Sequence, residues 1–104
     1  MQENQQEKKH FMLKSIPPRQ TFQQDMTEEE RNIMKQHVAY WTDKADMGIA
    51  IVFGPVFDPQ GGYGLGIVQV DNEEQVHDLI KDDPAVKSEL MRTEFHPMRA
   101  ILRK

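Results

Sequence analysis

Residues 37–62, HVAYWTDKADMG-IAIVFG-PVFDPQGG, followed at once by YGLGIVQV at 63–70, decide the fold. The first segment, through Gly48, reads as the end of a helix, with glycine as its stop. Ile49 to Phe53 is apolar at every position and reads as a strand. Gly54-Pro55 breaks it, and Asp58-Pro59 with Gly61-Gly62 makes a turn. Tyr63 to Val70 is the returning strand of the hairpin. The order helix, strand, turn, strand places His37 late in a helix and Asp58 just past a strand end, so that both can face one pocket.

Working outward from this hairpin, Thr27 and Glu30 form a capping box in which Thr27 is the N-cap and Glu30 the third helical residue. Three acids in the first turn, Glu28 to Glu30, suit the helix dipole. The helix is expected to run to about Asp46, with Met34, Val38, Trp41 and Ala45 as its apolar stripe and Ile33 and His37 along one edge. Upstream, His10 to Ile16 is a strand ended by Pro17-Pro18, and residues 17–26 are a connecting loop. Downstream, Asn72 to Glu74 open a second helix with Val76, Leu79 and Ile80 as its stripe. Asp83-Pro84 ends it, residues 85–94 are irregular or weakly helical, and Phe95 to Leu102 is the last strand. The order is β-α-β-β-α-β, the ferredoxin-like α+β plan, with two right-handed crossovers expected. Residues 1–9, MQENQQEKK, read as a disordered polar arm, and 10–104 as one domain.

The strands carry apolar residues on both faces: Ile49, Ile51 and Phe53 alternate with Ala50 and Val52, and Leu65 and Ile67 with Val68 and Val70. A sheet with one wet face should alternate apolar and polar. Two helices cover one face, and a chain of 104 residues has nothing left for the other. A second copy is the economical cover, so a homodimer through sheet faces is expected.

Composition narrows the function. The net charge is −4 and the basic residues are scattered, without the basic stripe and interleaved aromatics of a nucleic-acid binder. There is no cysteine, which excludes disulfides, thiolate metal sites and cysteine nucleophiles and suits a cytoplasmic protein. No apolar run reaches the roughly 20 residues of a membrane span, and the polar N-terminus lacks a secretory h-region. His10, His37, His77 and His96 show no metal-binding spacing, so neither metal nor other cofactor is expected. The GGYGLG run enters a strand, whereas phosphate loops enter a helix. Gly64 and Gly66 share one strand face and leave room there for a ligand or a close neighbour.

His37 is read as a general acid or base, since imidazole titrates nearest neutrality, or as a boundary histidine bonded to a loop. Asp58 is a carboxylate aimed at the pocket to orient His37, or a turn starter before proline. Asp83 before Pro84 is a secondary catalytic candidate, or a helix stop. Arg19 would clamp an anionic substrate, or stand solvated in its loop. Trp41 is a pocket aromatic or core, and Tyr63 is counted with it and Arg19 as a substrate contact.

Four motifs, EEER…HVAYW, FGPVFDPQGGYG, DDPAVKSEL and FHPMRAI, together resemble the YciI-like (YCII-related) family over nearly the whole chain from about His10. The resemblance implies a ferredoxin-like unit paired into a dimeric α+β barrel. It puts the family's histidine at His37, its G-P-x-x-D aspartate at Asp58 and its D-P aspartate at Asp83. The chain departs at Ser88-Glu89, where relatives tend to carry Ala-Gly, and Glu89 is expected to narrow the pocket. The function implied is cofactor-independent acid-base chemistry, elimination or isomerisation, on a small ring compound. The rival is a non-catalytic ligand-binding or regulatory module, and fold analogy with Trp41 adds a cofactor-independent oxygenase.

Overall fold

A computed structural model describes residues 7–103. Four strands and four helices follow one another as β1 (Lys9–Ile16), α1 (Phe22–Asp25), α2 (Glu28–Asp46), β2 (Ala50–Val56), β3 (Tyr63–Val70), α3 (Glu73–Asp82), α4 (Pro84–Lys87) and β4 (Arg92–Met98). The sheet order is β2-β3-β1-β4, with antiparallel neighbours throughout. This is the ferredoxin-like plan. Most of the polar arm lies outside the described residues, and its last residue, Lys9, belongs to β1.

Local chemistry accounts for the element ends. Thr27 Oγ1 accepts from the Glu30 N–H at 3.1 Å, while Glu30 Oε1 accepts from the Thr27 N–H at 2.9 Å, completing the capping box. At the other end of α2, Gly48 takes φ +81°. The Gly48 and Ile49 N–H groups bond back to the carbonyls of Ala45 and Lys44, a closure that needs a left-handed residue. Gly61, at φ +137°, is the hairpin glycine with positive φ.

Three boundaries differ from the sequence reading. The 17–26 loop contains a helical turn, α1, because Phe22 turns inward and is 2% exposed. β2 extends to Val56, since the β3 ladder continues to Tyr63 and carries Gly54 and Pro55 along an edge strand. β4 lies at 92–98 rather than 95–102, because its neighbour β1 offers His10 opposite Met98 and little beyond.

Strand alternation sorts the two faces. Phe11, Leu13, Ala50, Val68 and Val70 are buried under α2 and α3 with Trp41, Val76 and Leu79. Met12, paired with Ile67, and Val52, also paired with Ile67, lie on the other face. Val52 is 54% exposed there. Both faces are therefore apolar, and one is open in the single chain.

The α2 stripe departs from expectation at Val38, which is 49% exposed. The reason lies in the sheet beneath. Gly62, Gly64 and Gly66 occupy the helix-facing positions of β3 and its approach, and Leu13 faces Gly66 across the ladder. Gly64 and Gly66 put no side chain into the space between the sheet and α2, and a cavity remains there.

Candidate functional site

The cavity has a volume of about 260 Å³ and opens between α2 and the glycine row. Its walls are mostly apolar: Leu13, Phe53, Pro55, Met34, Val38, Trp41 and Met91, roofed by Phe22 and Met26 from the α1 segment. Pockets for drug-sized ligands run roughly 300–1,000 Å³, so this one suits a molecule of about one ring. A methyl group on Gly66 would meet Phe53 Cβ at 3.7 Å and the Val52 carbonyl at 3.8 Å, ordinary van der Waals contact, so the floor there accepts one without a clash.

His37 lines this cavity. It stands one helical turn before Trp41, on the same face of α2, and both side chains reach the carboxylate of Asp83. His37 Nδ1 lies 2.9 Å from Oδ1 and 3.0 Å from Oδ2. Trp41 Nε1 donates to Oδ2 at 2.9 Å. The Ala85 backbone N–H donates to Oδ1 at 2.9 Å, because Asp83 is also the N-cap of α4, with Pro84 at the first helical position. Asp83 is 1% exposed. A carboxylate only accepts, so His37 carries its proton on Nδ1 and keeps the Nε2 lone pair free. Nε2 has no hydrogen-bond partner among the described residues. The arrangement is a base held in one tautomer and one orientation by a buried, fully engaged acid.

Asp58 does not provide this carboxylate. It is exposed, its Oδ1 accepts from the Gln60 N–H at 2.9 Å, and its carbonyl accepts from Gly61. It is turn chemistry, fixed by the proline and glycines that follow it. Asp83, the secondary candidate, holds the position against His37.

Arg19 is not on the cavity wall. Its guanidinium is consumed by Asp25 Oδ1 at 2.8 Å, the Asp25 carbonyl at 2.9 Å and both oxygens of Glu30 at 2.8 and 2.9 Å. It staples α1 to the start of α2, with four of its five N–H donors engaged there. The fork holds the Glu30 carboxyl down at about 2, through the Arg19 hydrogen bonds first and the Thr27 N–H second. Asp25 is lowered as well, by the Thr21 hydroxyl and then Arg19. Farther along α2, beside Trp41, burial is the main reason that the Tyr40 phenol is pushed up to about 12; its hydroxyl donates to the Leu79 carbonyl at 2.8 Å.

Trp41 lines the cavity and is also core, 6% exposed. Tyr63 borders it, but Lys14 Nζ sits 4.5 Å from the centre of its ring. Lys14 and Tyr63 alternate with the helix-facing positions Leu13, Ser15 and Gly64, which puts both on the open sheet face. Glu89 is exposed and away from the cavity, so it does not narrow it. It takes φ 64° at the end of α4, where the Leu90 N–H bonds back to the Ala85 carbonyl. That is a position where glycine is at ease.

One wall residue was missed by reading the sequence. Gln23 projects from α1 into the cavity, and its Nε2 donates to the Val56 carbonyl at 3.2 Å. Its carboxamide occupies the space that a side chain at Gly62 would need. The i, i+4 pair Phe22 and Met26 was the available signal for a helical turn there. Among the described residues no group of three His, Asp or Glu side chains stands ready for a metal ion, and no helix is long and apolar enough to cross a membrane.

No curated protein matches this chain. Among solved structures it is similar to the 5-chloro-2-hydroxyhydroquinone dehydrochlorinase from Burkholderia phenoliruptrix, in complex with 2,5-dihydroxybenzoquinone: TM-score 0.67, 16% identity, covering 86% of this chain and 93% of that one. At that identity the likeness is one of fold, and it agrees with the sheet order. The model of the YCII-related domain matches residues 11–98. Its match takes in every strand core, the α2 histidine and the Asp83 junction, and the chain belongs to the YCII-related family.

Proposed function

We propose that this chain is a cofactor-independent enzyme, a lyase or isomerase, acting on a small ring compound by proton transfer at His37 Nε2. The observation that carries the reading is the Asp83–His37 pair on the wall of an apolar cavity. Asp83 positions the imidazole and stabilises the imidazolium that forms when Nε2 takes a proton. In an elimination, Nε2 takes a proton from a ring carbon. The released C–H electron pair forms the new double bond, and the leaving group departs with its own bonding pair. In an isomerisation the same imidazolium returns the proton at another carbon. The low-dielectric wall strengthens the ion pair while the charge is present. The similar dehydrochlorinase supports an elimination, as its fold hosts one. The chain is proposed to work as a homodimer in the cytoplasm, its open sheet face, with Val52, Ile67 and Met12, covered by a second copy.

The test is turnover on a panel of chlorinated and hydroxylated single-ring compounds, read as chloride release and as proton-deuterium exchange at ring carbons. Activity that falls at least about a hundredfold in His37→Ala, with the fold intact, is the expected result. Ligand binding without turnover in the wild type would overturn it in favour of a non-catalytic binding module.

A further inference from the structure

From the α1 strap we infer that Gln23 is the specificity-determining residue of this cavity, selecting uncharged ring compounds that carry a hydroxyl. The inference deepens the proposed function and rests on its choice of cavity. Gln23 is pinned in a defined orientation. The Val56 carbonyl can only accept, so the Gln23 amide must present its NH2 there, at 3.2 Å. Oε1 therefore points away from that bond, and no donor among the described residues engages it. The carboxamide is seated over Gly62, in the space that any larger residue would fill. Gln23 is half-buried and lines the cavity, with Oε1 lying over Gly62 as an unengaged acceptor; apart from Ser15, His37 and Tyr63 the rest of the wall is apolar.

The charge of the site agrees. No lysine or arginine lines the cavity. Arg19 is spent on Asp25 and Glu30, and Lys14 lies over Tyr63. The charge nearest His37 is the buried carboxylate of Asp83. A carboxylate ligand would lose its hydration and meet no lysine or arginine, whereas a hydroxyl would meet an acceptor already in place. A neutral hydroxyl donor is thus favoured over an anion on two independent grounds.

Phenol, toluene and benzoate are nearly equal in size and separate these grounds. Their affinities for the full chain are read by NMR titration, in the wild type and in Gln23→Leu, which keeps the packing over Gly62. Because phenol and toluene differ in hydrophobicity, the decisive quantity is how their affinity ratio changes. Loss of one hydrogen bond should shift the phenol-to-toluene ratio roughly fivefold to tenfold toward toluene in Gln23→Leu, and wild-type benzoate should bind at least about tenfold more weakly than phenol. A purely structural Gln23 would change both affinities together and leave the ratio fixed, which would overturn the inference. Benzoate binding as tightly as phenol, or no phenol binding at tens of millimolar, would overturn it as well. Should Gln23→Leu fail to fold, Gln23→Met gives the same ratio test. Turnover plays no part in the readout, so an inactive protein with the expected ratios would sink the proposed enzyme and leave this selectivity standing.

Discussion

Replacing Asp83 with asparagine keeps the shape of the buried group and removes one acceptor oxygen. Three donors converge on the native carboxylate: His37 Nδ1–H, Trp41 Nε1–H and the Ala85 N–H. Asparagine has a single oxygen, and its NH2 must face either Trp41 Nε1–H or the Ala85 N–H, neither of which can reverse. His37 can adapt, by moving its proton to Nε2 and accepting from the amide at Nδ1. One buried donor is then left unpaired, at a cost of about 1–3 kcal/mol. For a domain of this size each kcal/mol lowers the melting temperature by roughly 4–8 °C, so a fall of about 5–20 °C is expected. Calorimetry measures that fall. Nitrogen-15 NMR of the imidazole at alkaline pH shows which nitrogen carries the proton. The expected result is Nδ1–H in the wild type and Nε2–H in Asp83→Asn, with turnover lost because the cavity-facing nitrogen has become a donor. An unchanged melting temperature with the proton still on Nδ1 would refute the pairing. Asp58→Asn, on the exposed turn, should change stability by less than about 0.5 kcal/mol and leave the His37 tautomer as it was.

Ile67→Asp, on the open face, should yield a folded monomer by sedimentation, whereas Val68→Asp, facing the core at 0% exposure, should unfold the chain at a cost of roughly 3–5 kcal/mol; a wild type that is already monomeric at micromolar concentration would sink the proposed dimer. Gly66→Ala puts a methyl on the cavity floor without a clash, so the fold should persist while phenol affinity drops several-fold in NMR titration; an unchanged affinity would move the ligand elsewhere. Glu89→Gly relieves a left-handed non-glycine residue and should raise stability in urea by about 0.5–1 kcal/mol. The Glu30 carboxyl lies at about 2 against an ordinary 4.5; its folded value is depressed, so its contribution is whole above about pH 4.5 and is lost as pH falls toward 2. Glu30→Gln should therefore flatten the acid limb of the stability curve in that window, and an unaltered limb would count against the Arg19 fork.

What the sequence determined by itself was whatever a few neighbouring residues decide. The capping box at Thr27 and Glu30, the glycine stop at 48, the proline end of β1 and the hairpin glycines all act within about five residues. Each constrains the backbone locally, so the element order and the family resemblance could be read without coordinates. The two-faced strands signalled an open apolar sheet for the same reason, since alternation is a local period. The site was different. Asp58 and Asp83 both stand before a proline, and nothing local tells which of them meets His37. That depends on α4 folding back beside α2 across 46 residues of chain. The partners of Arg19 were likewise settled by how α1 meets α2, and the inward turn of Gln23 by its reach to Val56 on β2. The cavity itself belongs to no single segment: it exists because Gly64 and Gly66 on β3 fall opposite one face of α2, and only the packing of helix on sheet brings those faces together.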